Sequence, residues 1–388
     1  MSEPTTPFED ALPADNPDWT PLAQEDVYLG ELAAWSPLIA HDLDVARSFG
    51  DRPINLLRVG NPAATLGESR RAIYISGCIH GNEPAGREAL FTWLREVVAQ
   101  DADFLRTHHI IAVPTINPDG RANDTRGNDD SNRDLNRVWV QLDQPEIFYS
   151  CELLRDLRPL MAIDLHEFVG GGEDVAKIRG ADIPDADEAL RGLAEDVSGQ
   201  LIDHLNSLGI NADWWPSNTN PRHARNAWGL KHALPILVET NRSEGYDRRV
   251  RYEAQLECLR FLWGWYKDHW RDAQAATGNA RRAKVHEGLT RDRAFAMVEG
   301  DEVFPPGRSY TISAADAVTH GARLAAHGIN TAAVDDASGD VQARCDQAAQ
   351  PMLPYVVDAD SAYNILSATR NSDLQDDIRP HRLGRLGQ

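Results

Sequence analysis

Three apolar runs of this chain each end at a residue that can bind a metal ion. The runs span residues 72–79, 160–165 and 234–238, and the residues that follow them are His80, His166 and Glu239. Their composition predicts buried strands, and the carboxyl ends of parallel strands in an open α/β sheet meet at one edge. A charged group at the end of a buried strand is costly unless it is paired or bound. The three runs therefore constrain the chain to an α/β sheet with a polar site at that edge.

The first of these residues belongs to a His-x-x-Glu pair, His80 and Glu83. Gly81 and Pro84 bracket a predicted tight turn, and residues 87–94 follow with helical spacing, so both side chains lie between a strand and a helix. Catalytic zinc commonly takes three ligands from His and Asp or Glu and keeps a fourth position for water. Two histidines and one glutamate would supply these three ligands. A further carboxylate would take a proton from the water. The pattern indicates a metal-dependent hydrolase.

Three more polar motifs lie between the first strand end and the second. They are Asn117-Pro118-Asp119-Gly120, Arg126-Gly127-Asn128 and Asp134-Leu135-Asn136-Arg137. In this order, with His-x-x-Glu before them and Asp-Leu-His and Glu-Thr after them, they resemble the zinc carboxypeptidase family, of which carboxypeptidase A is the type. The resemblance implies an α/β/α sandwich with a mixed, twisted eight-stranded sheet. It also implies one Zn²⁺ per chain, bound by His80, Glu83 and His166.

The resemblance also implies roles for five further residues. Glu239 corresponds to the general base, and Arg126 to the arginine that polarises the scissile carbonyl and stabilises the oxyanion. Asn136 and Arg137 correspond to the pair that binds the terminal carboxylate of the substrate, and a guanidinium group can bind a carboxylate through two hydrogen bonds. Asp134 corresponds to the carboxylate that orients the first zinc histidine.

These roles predict a zinc-dependent metallocarboxypeptidase that hydrolyses a C-terminal amide bond. The alternative within the same superfamily is an N-acyl-amino-acid deacylase similar to aspartoacylase or succinylglutamate desuccinylase, which share His-Gly-Asn-Glu, Asp-Leu-Asn-Arg and Asp-Leu-His with this chain. In both cases the substrate carries a free carboxylate. An alternative of another class is a binding module with an inactive site, but every catalytic position named above is filled.

Two features depart from the family pattern. Arg-x-Asn lies one residue farther from Asp-Leu-Asn-Arg than is usual, so Arg121 competes with Arg126 for the carbonyl-polarising role. No tyrosine lies between Tyr149 and Tyr246, the interval in which carboxypeptidase A carries a mobile tyrosine. Arg225 lies in this interval as a candidate for the specificity pocket, where it would favour acidic side chains on the substrate. The other interpretation is that Arg225 belongs to a connecting loop.

With 388 residues the chain is longer than a usual single domain. We predict a flexible N-terminus over 1–18, a catalytic domain over 19–272, a linker over 273–283, a small C-terminal α/β domain over 284–370 and a flexible tail over 371–388. The linker prediction is based on small and polar residues after an aromatic helix. No function for the C-terminal domain follows from its residues.

The net charge of −21 argues against nucleic acid and anionic membranes as partners. Only four of the 39 basic residues are lysine, a balance that fits either a salt-adapted host or a GC-rich genome. The first five residues contain the acidic Glu3 and no hydrophobic segment, and no transmembrane run is present, so we expect a cytoplasmic location. The sequence predicts no oligomeric state.

Overall fold

The computed structural model describes residues 2–60, 71–128, 132–290, 295, 307–334 and 338–371. The chain separates into two compact units, Met1–Ala280 and Arg281–Gln388. None of the helices in the described ranges combines the length and apolar character that a membrane span requires.

A mixed eight-stranded sheet forms the centre of the first unit. Its strands are β1 Ile39–Arg47, β2 Pro53–Val59, β3 Ala72–Gly77, β4 His109–Val113, β5 Met161–Phe168, β6 Ala176–Arg179, β7 Ala212–Trp214 and β8 Leu234–Asn241. They lie in the order β1-β2-β4-β3-β5-β8-β6-β7. The strands β4, β3, β5 and β8 run parallel, whereas β1, β2 and β6 pair antiparallel with their neighbours β2, β4 and β8. The predicted α/β fold with a mixed eight-stranded sheet is confirmed.

The central strands are buried along their whole length. Every residue of β3, β5 and β8 is buried, as expected for parallel strands with both faces covered. In the parallel register Gly77 pairs with Leu165, and His166 pairs with Glu239. The three apolar runs of the sequence therefore end together at one edge of the sheet.

The helices of this unit connect the strands and pack against them. They are α1 Pro7–Asp10, α2 Leu22–Trp35, α3 Ala85–Gln100, α4 Pro118–Asn123, α5 Pro145–Leu157, α6 Glu188–Ser207, α7 Ala224–Leu230 and α8 Arg248–Thr290, of which α8 continues past Ala280. Short 3₁₀ turns occur at Phe104–Arg106 and Leu135–Arg137. Helix α3 lies directly on β5, because a Cβ atom at Gly86 would be only 2.5 Å from the Cβ atom of Leu165.

The predicted flexible N-terminus over 1–18 is wrong for the described residues 2–18. Thr6 and Glu9 form a capping box at the start of α1, and Phe8 is fully buried and stacks on Trp19 with ring centroids 4.8 Å apart. Glu9 also accepts a hydrogen bond from Arg95 at 2.9 Å. A buried ring and a paired carboxylate fix a segment whose composition alone is polar.

The division between the two compact units falls within the predicted linker over 273–283, but these residues lie inside helix α8 and form no linker. The segment is rich in alanine, the residue with the highest helix propensity, and its single glycine does not end the helix. The boundary between the two compact units falls inside the helix, after Ala280.

In the residues that the structure describes, the second unit contains a four-stranded antiparallel sheet, the end of α8 and two further helices. The strands are β9 Ser309–Ile312, β10 Thr331–Ala333, β11 Val341–Arg344 and β12 Thr369–Asn371, in the order β10-β11-β9-β12. The helices are α9 Ala314–Ala326 and α10 Leu353–Val357. Buried Asp358 accepts hydrogen bonds from Tyr310 at 2.7 Å and Arg370 at 2.8 Å. Of the predicted tail, Asn371 ends β12 and residues 372–388 lie outside the described residues.

Replacement of Phe8 by alanine should lower the free energy of unfolding by about 3–5 kcal/mol, because it leaves a cavity in a packed region. The same change at Phe49, which is 51% exposed, is the matched control and should cost less than about 0.5 kcal/mol. Urea unfolding measures both values. Equal midpoints for the two variants would instead support a loose N-terminal segment.

Candidate metal centre

Three residues converge at the carboxyl ends of β3 and β5: His80, Glu83 and His166. The Nδ1 atom of His80 lies 3.0 Å from Glu83 Oε1, and the Nδ1 atom of His166 lies 2.9 Å from Glu83 Oε2. All three side chains are buried. In the part of the chain that the structure describes, they form the one group of three or more His, Cys, Asp or Glu residues placed to share an ion.

The turn between β3 and α3 places His80 and Glu83 side by side. Cys78 leaves β3 with a left-handed backbone (φ 50°), and the Glu83 amide donates to the carbonyl of His80 at 3.1 Å. A Cβ atom at Gly81 would lie 1.9 Å from the carbonyl carbon of Gly120. Glycine therefore allows the turn to pack tightly against α4, the helix of the Asn-Pro-Asp-Gly motif.

Two more carboxylates contact the other ring nitrogen of each imidazole. Asp134 Oδ1 lies 3.1 Å from His80 Nε2, and Asp164 Oδ2 lies 2.9 Å from His166 Nε2. With a cation bound at the centre, these contacts would keep a proton on each Nε2 and leave the lone pair of each Nδ1 free for the cation. The sequence analysis assigns this role to Asp134 and misses Asp164. The Asp-x-His spacing is the signal that could have identified Asp164, since the side chains of residues two apart on a strand point to the same face of the sheet.

The charges of this centre favour a cation among the three donors. Burial raises the pKa of Glu83, but His80 and His166 outweigh it and the net shift is downward. Burial lowers the pKa of His166, but Asp164 and Glu83 outweigh it and hold the pKa well above its ordinary value. The buried Nδ1 of His80 makes no hydrogen bond with the described residues. Two imidazole nitrogens and one carboxylate match the donors of catalytic zinc, so the residues present fit that ion.

Glu239 lies beside this centre on β8. It pairs with His166 in the parallel register and lines the cavity in front of the centre. Burial raises the pKa of Glu239 to about 8, while His166 opposes the rise and Glu83 and Asp164 add to it. A carboxyl group with such a pKa can exchange a proton near neutral pH.

Arg126, and not its competitor Arg121, reaches this centre. The side chain of Arg126 is 46% exposed and donates from Nη1 to Glu83 Oε1 at 3.3 Å and from Nε to Asp134 Oδ2 at 3.1 Å. Arg121 donates to the carbonyl of Gly81 at 3.0 Å and is not among the residues that line the cavity. Of the two arginines, Arg126 is therefore the one that lies at the candidate metal centre.

Asn136 and Arg137 enter the cavity from the 3₁₀ turn Leu135–Arg137. Asn136 Oδ1 accepts a hydrogen bond from the backbone amide of Ala224 at 2.8 Å, and its Nδ2 lies 3.3 Å from His166 Nε2. Arg137 donates to the carbonyl of Asn136 at 2.8 Å. Burial lowers the pKa of the Arg137 guanidinium even though Asp134 lies nearby.

Arg225 is the second residue of helix α7 and lines the same cavity. It is 2% exposed, and its Nη2 lies 2.8 Å from Asp182 Oδ2. Burial lowers the pKa of Arg225 to about 10, although Asp182 favours the charged form. The structure thus places a buried guanidinium in the cavity wall, and the interpretation of Arg225 as a loop residue is wrong.

The cavity has a volume of about 350 Å³. Its wall also contains Phe168, Val169, Trp215, His223, Leu237 and Arg242. Phe168 and Trp215 meet edge to face with ring centroids 5.4 Å apart, and no tyrosine of the described chain lines the cavity. Burial, together with Arg137 and Arg225, lowers the pKa of His223 to about 3, so its imidazole is neutral at pH 7.

A comparison with known families adds an independent observation. Residues 26–152 match the model of the zinc carboxypeptidase family. Over this segment, which is less than half of the chain, the protein is similar to the zinc carboxypeptidase family. The matched segment contains the His-x-x-Glu pair and the Asp-Leu-Asn-Arg motif, whereas His166 and Glu239 lie beyond it.

Curated relatives of this chain are named carboxypeptidases. Probable carboxypeptidase 2 of Trichophyton verrucosum is 26% identical over 230 residues, which cover 52% of this chain and 44% of that protein. Carboxypeptidase B of Astacus astacus is 32% identical over 111 residues, which cover 27% of this chain and 35% of that protein. The chain spans less than half the length of these relatives.

Solved structures show the same fold at low identity. A metallo-carboxypeptidase from Burkholderia cenocepacia aligns with a TM-score of 0.51 and 17% identity, covering 63% of this chain and 69% of that one. Carboxypeptidase A from Helicoverpa armigera aligns with a TM-score of 0.51 and 16% identity, covering 66% of this chain and 74% of that one. At these identities the likeness establishes the fold and no more.

The structure brings every residue of the predicted site to the candidate metal centre or to the cavity wall, while their individual roles stay predictions. Arg242 is a wall residue that the sequence analysis does not name. Its Nη1 lies 3.5 Å from the carbonyl of Asn82. The available signal was its position, since it directly follows the end of β8.

Replacement of His166 by alanine should remove bound zinc, because the centre loses one of its three donors. We expect about one zinc per wild-type chain after dialysis and a large loss in the variant, measured by inductively coupled plasma mass spectrometry. His204, whose Nε2 lies 2.9 Å from Glu257 Oε1 away from the cavity, offers the matched His204→Ala control and should keep its zinc. Equal zinc contents for all three proteins would contradict the assignment.

Replacement of Asp164 by asparagine should weaken zinc affinity by about 10–100-fold, because the amide holds the His166 imidazole less well than the carboxylate does. Competition with a chromophoric chelator measures this affinity. The control is Glu257→Gln, which makes the same chemical change at the carboxylate of His204. Identical affinities for the Asp164 variant and the wild type would remove its role in orienting the imidazole.

Proposed function

We propose that this chain is a zinc-dependent metallocarboxypeptidase that hydrolyses the amide bond of a peptide's C-terminal residue. The observation that carries the proposal is the placement of the Glu239 carboxyl beside the buried His-Glu-His centre, in a cavity that also contains Arg137. Similarity to the zinc carboxypeptidase family over residues 26–152 supports the same reaction class.

His80, Glu83 and His166 would hold the zinc ion through two Nδ1 atoms and one carboxylate. When bound, zinc lowers the pKa of a water molecule and polarises a carbonyl oxygen. Asp134 and Asp164 keep the two imidazole rings oriented by accepting from Nε2.

Glu239 would act as the general base. Positive charge at the neighbouring centre favours its ionised form, which accepts a proton from the attacking water on a carboxylate oxygen. The same carboxyl then donates that proton to the leaving amine. Its burial supports this role, because a carboxylate removed from water is a better base than a solvated one.

The arginines of the cavity would position the substrate. Arg137 would bind the terminal carboxylate, which would compensate a guanidinium group whose pKa is already lowered by burial. Arg126 lies next to Glu83 and would stabilise negative charge that develops on the carbonyl oxygen. Asn136 lies between Arg137 and the metal ligand His166 and would complete the carboxylate site.

An N-acyl-amino-acid deacylase is the second candidate. It is favoured by the arginine content of the cavity, whose wall contains Arg126, Arg137, Arg225 and Arg242. Several guanidinium groups could bind the carboxylates of a small N-acylated acidic amino acid, which would be the substrate of such a deacylase. The products of hydrolysis distinguish the two reactions.

The test is incubation of the zinc-loaded protein with free peptides, their C-terminal amides, and N-acetyl and N-succinyl amino acids, with products identified by mass spectrometry. We expect loss of the last residue from free peptides and not from amides. Release of acetate or succinate with the peptides intact would overturn the carboxypeptidase proposal and favour the deacylase.

Replacement of Glu239 by glutamine should lower kcat by about 10²–10⁴-fold, because the amide cannot accept the proton. Zinc content should not change. Exposed Glu244 follows β8 on the same segment, and Glu244→Gln is the matched control with wild-type activity expected. A fully active Glu239→Gln enzyme would exclude this residue as the base.

A further inference from the structure

We propose that Glu167 is a positioning residue of the metal centre: its main chain and its side chain together hold the ligand Glu83 in place against His166. The inference rests on the zinc centre of the proposed function, but not on which amide bond is hydrolysed. Three contacts carry it: a backbone hydrogen bond to Glu83, a side-chain hydrogen bond to the start of α3, and a buried ion pair with Arg251.

The backbone of Glu167 binds a metal ligand directly. Its amide donates to Glu83 Oε2 at 3.0 Å, and the same oxygen lies 2.9 Å from His166 Nδ1. The other oxygen, Oε1, lies 3.0 Å from His80 Nδ1. A hydrogen bond to a ligating carboxylate fixes its orientation and so affects the strength of metal binding. The position of the β5 main chain at Glu167 therefore sets the rotation of the Glu83 carboxylate between the two imidazoles.

The side chain of Glu167 binds the segment that carries Glu83. Neighbouring residues of a strand point to opposite faces, so this side chain lies on the face away from His166. Its Oε1 accepts a hydrogen bond from the amide of Ala85 at 2.9 Å. Ala85 is the first residue of α3, where amides have no acceptor within the helix, and the preceding Pro84 offers no side-chain cap. Glu167 thus holds both the ligand Glu83 and the first residue of the helix that follows it.

Helix α8 holds Glu167 in place from the other side. The side chain of Glu167 has no exposed surface, and its Oε2 accepts a hydrogen bond from Arg251 Nη1 at 2.6 Å. An unpaired carboxylate would be costly at this depth, so the ion pair keeps it where it meets Ala85. Gln255, one turn farther along α8, donates to the backbone carbonyl of His166 at 2.7 Å. The helix therefore supports β5 at a metal ligand and at the residue after it.

These contacts place Glu167 to position the centre, and not to bind the metal or the substrate itself. It belongs to the cavity wall, but its side chain offers no exposed surface there. Among the described residues, the group placed to share an ion does not include it. Loss of its carboxylate would free the start of α3, and Glu83 with it. A folded variant without this carboxylate should therefore bind zinc more weakly.

The experiment measures zinc affinity by competition with a chromophoric chelator in the wild type, Glu167→Gln and Glu167→Ala. Glutamine can still accept a hydrogen bond from the Ala85 amide but cannot pair with the charge of Arg251, whereas alanine loses both contacts. We expect the affinity to fall about 10–100-fold in Glu167→Ala and by a smaller factor in Glu167→Gln.

The matched control is Glu9→Ala. The side chain of Glu9 is only 8% exposed, and it accepts a hydrogen bond from Arg95 of α3 at 2.9 Å. Arg95 lies farther along α3 than Ala85, by roughly 15 Å of helix axis. Both alanine variants should unfold at a lower urea concentration than the wild type, because each loses a largely buried carboxylate that binds an arginine. Only Glu167→Ala should lose zinc affinity.

Wild-type zinc affinity in Glu167→Ala, or an equal loss in Glu9→Ala, would overturn the positioning role. If Glu167→Ala does not fold, Glu167→Gln decides, and wild-type affinity in that variant would overturn the role. The result does not depend on the reaction. A protein that binds zinc but cleaves no free peptide would refute the proposed function and leave this inference standing, whereas a wild type that binds no zinc would refute both.

Discussion

The parallel pairing of β3, β5 and β8 is the constraint on which the site depends. Backbone hydrogen bonds between strands of the same direction bring their carboxyl ends to one edge of the sheet. In this register His166 lies opposite Glu239, and β3 ends at Gly77 opposite Leu165, three residues before His80. A slip of one residue in β8 would turn Glu239 to the other face. The register therefore sets the spacing between the metal centre and the proposed base.

The distribution of charge explains how one cavity can serve both the metal and the substrate. Acidic groups surround the two imidazoles: Glu83, Asp134, Asp164 and Glu239. Their negative charge favours a cation at the centre. Guanidinium groups line the cavity in front of it, and their positive charge favours carboxylates. A substrate that carries both a carbonyl group and carboxylates would therefore meet a cation and guanidinium groups in the same cavity.

The sequence predicted the elements whose signals are local. Apolar runs marked the central strands, and the residues that follow them marked His80, His166 and Glu239 at the candidate site, because the burial of a strand and the chemistry of the next side chain are both local properties of the sequence. The errors arose where distant residues decide. Residues 1–18 are polar on average, but Phe8 stacks on Trp19, and Glu9 binds Arg95 across 86 positions. The segment 273–283 has the composition of a linker, yet it continues a helix that began at Arg248.

The sequence by itself determined the fold class and the candidate donors of the metal centre, since two histidines and the glutamate of His-x-x-Glu have the same ligand chemistry in any arrangement that brings them together. Only the tertiary structure decided between Arg126 and Arg121, which are five residues apart and alike in chemistry, because just one of them reaches Glu83. Only the tertiary structure decided that Arg225 is buried against Asp182 with donors left unpaired. Burial and pairing depend on residues distant in the chain, and a local pattern carries no information about them.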